Sequence, residues 1–406
     1  MLVEATARFF ALALVVNTVQ ACPYMGFMIG GDNPHQQDEG ESSTAAATFV
    51  ARRLQRTPPP APSPPPSPSG PSLFQGSVQE AIVAAKGDVG QLVNNEPFLG
   101  PTLVRLGFHD CVGGQCDGCV DISNPGNFGL EEAIDKLDPL VTRYSNQLTR
   151  ADVWALATLT AAEVLQKDDV KIDFDFNYYG RQSCPNPKGG PNRPMPSAHL
   201  TIDGILRFFA NEFGFTDEES VAIMGAHTLG VLTRENSGFQ GSWVPAETNL
   251  NNEFYSFVVG GTNVDNARPL SLFVQTLEDN SDLPDFQDQY LWTFSGTASG
   301  GLRGRDLQAT TELVMLNVDL GLAANFTGHI DSVSGEVTCS LRVTPGSTET
   351  ECPASSTLYQ AALYKYDNLL WLEDFRSVLT KMTLTGYSTA GCGSTSPCQV
   401  TAVISL

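Results

Sequence analysis

The chain has 406 residues, 41% of them hydrophobic, and its 45 Asp and Glu outnumber 23 Lys and Arg to give a formal charge of −22. That apolar content fills a sizeable core, which excludes a small scaffold held mainly by disulfides. The acidic balance argues against nucleic acid or an anionic membrane as a partner.

At the N-terminus, Arg8 precedes an apolar run at 9–16, and Val19-Gln20-Ala21 offers small residues for cleavage, so residues 1–21 are predicted to be a signal peptide. The run is too short to span a bilayer, and no later stretch is apolar for long enough. Secretion into an oxidising compartment follows as the expectation. Nine Cys fit it, at 22, 111, 116, 119, 184, 339, 352, 392 and 398: four bridges would leave one over. Cys116-Asp117-Gly118-Cys119 also has metal or redox spacing, but no second such pair or His partner accompanies it.

Residues 22–72 lack the periodicity of a core, and Pro dominates 57–71, which predicts an extended polyproline spacer. It reads as a linker, with contact to an extracellular matrix as the other reading. Asn325-Phe326-Thr327 is an acceptor for N-glycosylation if the chain is secreted.

The folded domain is predicted over 73–385. Val78, Ile82, Val83, Val89 and Leu92 form a helical stripe, and the next helix carries Arg105 and His109. Residues 149–167 read as a buried helix and another runs from about 200 to 213. Thr216-Asp217-Glu218-Glu219 is a capping box for a helix reaching His227. Residues 258–311, rich in Asn, Asp, Gly and Ser, are expected to be a surface insertion. Helical texture returns at 312–322 and 357–385, and 386–406 is a tail with two Cys. Few stretches alternate with period two, so the fold class is mainly α.

Arg105 and His109 stand four residues apart and therefore share a helix face. A guanidinium beside an imidazole suits peroxide chemistry: one stabilises developing negative charge, the other moves a proton. Such pairs also arise by chance. His227 lies in the apolar run Ile223-Met224-Gly225-Ala226-His227-Thr228-Leu229-Gly230, where a core residue is the competing reading.

Together, and in this order, Arg105-Leu106-Gly107-Phe108-His109-Asp110-Cys111 and the run around His227 resemble the distal and proximal signatures of the plant-type haem peroxidase superfamily. Its members include ascorbate, cytochrome c, fungal ligninolytic and secretory plant peroxidases. The resemblance covers 75–256 and, more loosely, 312–385. It implies a two-lobed, mainly helical fold with haem b between the lobes. The implied function is a secreted peroxidase that reduces hydrogen peroxide while oxidising small, phenolic donors by one-electron steps, in response to oxidative stress.

The resemblance makes Arg105, His109 and Asn127 catalytic, with Asn127 accepting from His109 Nδ1–H. His227 would be the axial ligand of the haem iron, with Asp319 behind it, and Phe108, Trp243 and Pro196 would line the cofactor. Trp243 matches ascorbate and cytochrome c peroxidases, whereas secretory plant peroxidases have Phe there. Cys111 with Cys116 is the bridge implied by the secretory relatives, while Cys339 with Cys352 and Cys392 with Cys398 are paired on proximity alone. One calcium ion is open on this resemblance, held by Asp110 and Asp117 with Gly113 and Gln115; Cys119 would replace a Ser ligand, and a thiol suits a hard cation poorly.

Several positions depart from the family. Asn236 stands where ascorbate peroxidases carry a donor-binding Arg, Pro97 and Pro101 replace the carboxylates of a manganese site, and Val244, Ala246 and Asn251 replace oxygen ligands of a proximal cation. The expected donor is therefore small, neutral and phenolic. The reading from another class is an extracellular matrix protein that keeps the fold without the activity.

Overall fold

Ser77 starts the first helix, because its hydroxyl accepts from Glu80 N while the Glu80 carboxylate accepts from Ser77 N. The computed structural model describes residues 72–295, 312–343, 345–393 and 396–403, all within one compact unit spanning Pro66–Leu406. The expected signal peptide at 1–21, the Pro-rich segment with Cys22, residues 296–311 of the insertion and the last three residues of the tail lie outside the described residues.

Four helices form one group: α1 (Val78–Asn95), α2 (Leu99–Cys111), α3 (Glu131–Tyr144) and α4 (Arg150–Val164). The first three pack on α4, which is apolar nearly all round, as a central helix must be. Gly107 lets α2 approach it, since a Cβ there would stand 2.2 Å from Thr158 Oγ1. A Thr149–Asp152 capping box opens α4, and the buried Asp152 carboxylate also meets the Arg181 guanidinium at 3.1 Å and Gly180 N at 2.8 Å. Pairing and hydrogen bonds offset the cost of burying those charges.

A second group follows, with α5 (Ile202–Phe213), α6 (Asp217–Met224), α7 (Arg234–Ser237), α8 (Glu253–Val258), α9 (Asn317–Leu320), α10 (Leu358–Tyr366) and α11 (Asn368–Met382). Here α5, α10 and α11 pack on α6, and α8 packs on α10. The mainly helical, two-group architecture is the expected one. No helix among the described residues is long and apolar enough to cross a membrane.

Local differences have clear causes. The Thr216 capping box starts α6 as predicted, but α6 ends at Met224 and His227 sits on the 3-10 turn Gly225–Thr228. The stretch 312–322 begins as the strand Val314–Met315, and only Asn317–Leu320 is helical. That strand joins an antiparallel hairpin inside the insertion, Phe273–Glu278 with Gln289–Phe294. Leu291, Trp292 and Thr293 are buried in succession, so the described part of the insertion has a packed side. Beyond α11, Tyr387–Ser388 pairs with Thr401–Ala402, and Cys398–Gln399 pairs with Tyr178–Tyr179. Main-chain hydrogen bonds thus join the tail to the domain.

The three anticipated bridges, Cys111–Cys116, Cys339–Cys352 and Cys392–Cys398, are formed, and Cys119–Cys184 adds a fourth. Cys116 and Cys119 belong to different bridges, so their CxxC spacing offers no pair of free thiols for a metal.

Candidate active site

A single turn positions both distal candidates. Asn124 caps the 3-10 turn Pro125–Asn127 by accepting from Gly126 N, and Arg105 of α2 donates to Phe128 O at 2.8 Å and Gly126 O at 2.9 Å. Two of its five N–H donors are thereby committed, which fixes the guanidinium plane. Asn127 Oδ1 lies 2.7 Å from His109 Nδ1, while Asn127 Nδ2 donates to Asp121 O at 2.8 Å. The second bond orients the amide, so its oxygen faces the ring; Nδ1 must carry the proton and Nε2 keeps its lone pair.

Electrostatics preserve those states at neutral pH. Burial, then the Arg105 charge, push His109 down to about 3 against the opposing Asn127 hydrogen bond. Burial also lowers Arg105 to about 10, partly offset by Glu131, so the guanidinium stays charged. Phe108 meets His109 edge-on at 5.6 Å and packs against Phe209 and Phe213 of α5.

The proximal His is held in a similar way by a stronger partner. His227 Nδ1 lies 2.7 Å from Asp319 Oδ1, and the other carboxylate oxygen accepts from Trp243 Nε1 at 3.0 Å and Leu316 N at 2.8 Å. Asp319 is fully buried, so these donors replace its lost water. The Trp243 ring stacks on His227 at 4.4 Å with the planes 21° apart, leaving 31% of the His side chain exposed. An imidazole with Nδ1–H bound to carboxylate directs its Nε2 lone pair outward, the donor set that an axial haem ligand requires. The residues therefore fit haem.

Segment 195–198 links the two halves. Met195 lies against Gly126 of the distal turn, whereas Ala198 O accepts from Val318 N beside Asp319. Pro196, expected to line the cofactor, is half-buried between them.

The expected calcium ligands also come together, around a residue that periodicity and motif did not single out. Asp110 Oδ1 accepts from Cys119 N at 2.9 Å, and Asp117 Oδ2 accepts from Arg193 at 3.0 Å. Arg193 also donates to Asp110 O and Gln115 O, and its stem crosses Gly113. Burial, then the charge of Asp117, raise Asp110 to about 8, opposed by Cys119 N–H and Arg193.

Near the distal turn, α7 packs on Pro125–Asn127 and the Asn236 amide lies against Gly129. The neighbouring Arg234 is held by both oxygens of Asp282, with 2.7 Å from Nη2 to Oδ2, and donates to Asp279 O at 3.0 Å. Both acidic residues come from the insertion, whose Phe286 also meets Phe128 edge-on at 6.3 Å. No periodic signal marks Arg193 or Asp282, because each works through contacts far along the chain.

A family model described as peroxidase matches residues 85–327. A protein named "Putative heme-binding peroxidase" from Yarrowia lipolytica is 31% identical over 175 residues, covering 40% of this chain and 57% of that protein. One of the same name from Mycosarcoma maydis is 32% identical over 173 residues, covering 39% and 50%. Cytosolic L-ascorbate peroxidase 2 of Oryza sativa subsp. japonica is 30% identical over 183 residues, covering 41% and 67%. The chain spans about half to two thirds of the length of these curated relatives.

Proposed function

This chain belongs to the peroxidase family, and from that premise we propose that it is a secreted, haem-dependent enzyme that reduces hydrogen peroxide to water with electrons from small, non-anionic donors. One observation carries the reading: two imidazoles each have Nδ1 held by a side-chain oxygen, His227 by the carboxylate of Asp319 and His109 by the amide of Asn127. Each then offers Nε2, one to a metal and one to a proton.

His227 would hold haem iron through Nε2, with Asp319 and Trp243 fixing the ring. Bound there, haem would supply the redox centre through which two electrons reach peroxide and are replaced from two donor molecules. His109 Nε2 takes a proton from one peroxide oxygen and returns it to the other as the O–O bond breaks. An imidazolium formed where burial and Arg105 oppose it is a strong acid, which favours that return. Arg105 stabilises negative charge on the departing oxygen. With two electrons and two protons, one peroxide yields two waters.

The donor assignment rests on the charges beside the distal turn. Asn236 brings a neutral amide, and Asp282 already neutralises Arg234. Insertion residues Asp279, Asp285 and Asp288 add negative charge. An anionic donor would lack the directed, charge-assisted bonds an Arg fork supplies, whereas a neutral phenol needs none. Secretion is supported by the four disulfides, which persist in oxidising compartments.

The test is the haem-loaded chain assayed with peroxide and either guaiacol or ascorbate. Turnover with a higher kcat/KM for guaiacol supports the proposal. No peroxide-dependent oxidation of either donor would overturn it, and a tenfold preference for ascorbate, about 1.4 kcal/mol, would overturn the donor assignment.

A further inference from the structure

The loop after α2 encloses a cation that belongs to the chain. Arg193 Nη1 donates to the main-chain oxygens of Asp110 and Gln115, the latter at 3.2 Å, and Nη2 donates to Asp117 Oδ2 at 3.0 Å. Its side chain is only 10% exposed, unusual for a charged group and consistent with a built site. The stem fits because Gly113 has no side chain: at φ 87°, a Cβ there would fall 2.7 Å from Arg193 Cδ. Asp110 is the residue after His109, so this guanidinium ties the end of the helix bearing the distal pair to the loop that follows.

Two carbonyls and a carboxylate converging on one point, with a second buried carboxyl beside them at Asp110, make an oxygen cluster of the type that attracts a hard divalent cation. The guanidinium satisfies it differently. It brings one positive charge and planar N–H donors rather than a sphere demanding six to eight oxygens. While the Arg193 bonds persist, its nitrogens occupy the oxygen directions that a metal would need. We propose that Arg193 is a built-in replacement for a structural cation at this loop, so that the chain fixes α2 without calcium and acquires a calcium site only when the guanidinium is removed.

The claim does not require catalytic activity, so it can fail while the peroxidase reading stands. The full chain is dialysed against EGTA, analysed for calcium and melted with and without added calcium chloride; Arg193→Ala is treated identically, with sodium chloride at matched ionic strength as control. The parent is expected to hold no stoichiometric calcium after dialysis and to melt at one temperature in both buffers. Arg193→Ala is expected to melt lower, by about 5 °C or more, and to recover at least half of that loss in millimolar calcium but not in sodium. Tightly held calcium in the parent, with a fall in melting temperature on its removal, would overturn the proposal. So would an Arg193→Ala chain that loses stability and is indifferent to calcium. Should that variant fail to fold, Arg193→Lys, which keeps the charge but not the fork, is the second probe: it is expected to fold with a smaller calcium response, and no response to calcium would overturn the proposal.

Discussion

Replacing Asp319 by Asn separates the carboxylate's structural task from its electronic one. In the parent, one oxygen serves His227 Nδ1 at 2.7 Å and the other serves Trp243 Nε1 and Leu316 N at 3.0 and 2.8 Å. An amide has only one acceptor oxygen. Trp243 Nε1 and the Leu316 amide can only donate, so the least costly orientation gives them the oxygen and turns the NH2 toward His227. Imidazole can adapt by accepting at Nδ1 and moving its proton to Nε2. The packing then survives, with the variant losing about 1–3 kcal/mol as hydrogen bonds to a charged group become neutral ones. Nε2, however, now bears hydrogen and cannot donate a lone pair to iron without restoring the unfavourable tautomer. Haem affinity should therefore fall about 10- to 100-fold, as for partners lying behind a metal ligand. Denaturant unfolding of the haem-free chain gives the first number, a haem titration gives the second, and nitrogen NMR of the His227 ring reports the tautomer. Asp319→Ala strands all three neutral donors, at about 1–3 kcal/mol for each one left buried without an acceptor, and should lose more stability than the Asn variant. An Asn variant that binds haem like the parent with its His227 proton on Nε2 would refute the reasoning.

Arg105→Leu removes a charge that helps push His109 down to about 3, so the acid limb of the peroxide reaction should move to higher pH, as read from its pH–rate profile. The same shift sets a stability sign: the folded value lies below the ordinary 6.5, so the unfolded chain binds the proton more readily between about pH 3 and 6.5, and the His109 contribution is undiminished above 6.5 and lost as pH falls. Urea midpoints should show a smaller loss on acidification in Arg105→Leu. Asp282→Asn frees Arg234 from a bidentate, exposed partner; melting should change little, while the ratio of kcat/KM for ascorbate to that for guaiacol should rise severalfold. Gly107→Ala places a Cβ against Thr158 at the α2–α4 crossing and should destabilise the chain by about 1–3 kcal/mol in urea unfolding.

The parts legible in sequence are those written in local pattern. The capping box at Thr216, the apolar run of α4 and the four-residue spacing of Arg105 and His109 all depend on neighbours within one turn of helix. The resemblance brought Asn127, His227, Trp243 and Asp319 into consideration, and the hydrogen bonds and ring contacts now join them into two imidazole sites. Long-range partners were opaque. Arg193 reaches across from a Gly- and Pro-rich loop, Asp282 comes from an insertion whose strands show no clean alternation because Leu291 to Thr293 are buried in a row, and Cys184 lies 65 residues from Cys119. His227 itself lies past the end of α6, since Gly225 and the turn it opens break the helix that the capping box began.

The account stands most directly on the role of His109 as the group that moves the peroxide proton. With haem-loaded parent and His109→Leu, the spectral change on mixing with hydrogen peroxide can be timed separately from the later change on adding guaiacol. The account predicts that the first rate falls by about 100-fold or more in the variant, the scale of general acid–base help, while the second changes little. An unchanged first rate in His109→Leu, with haem still bound, would contradict it.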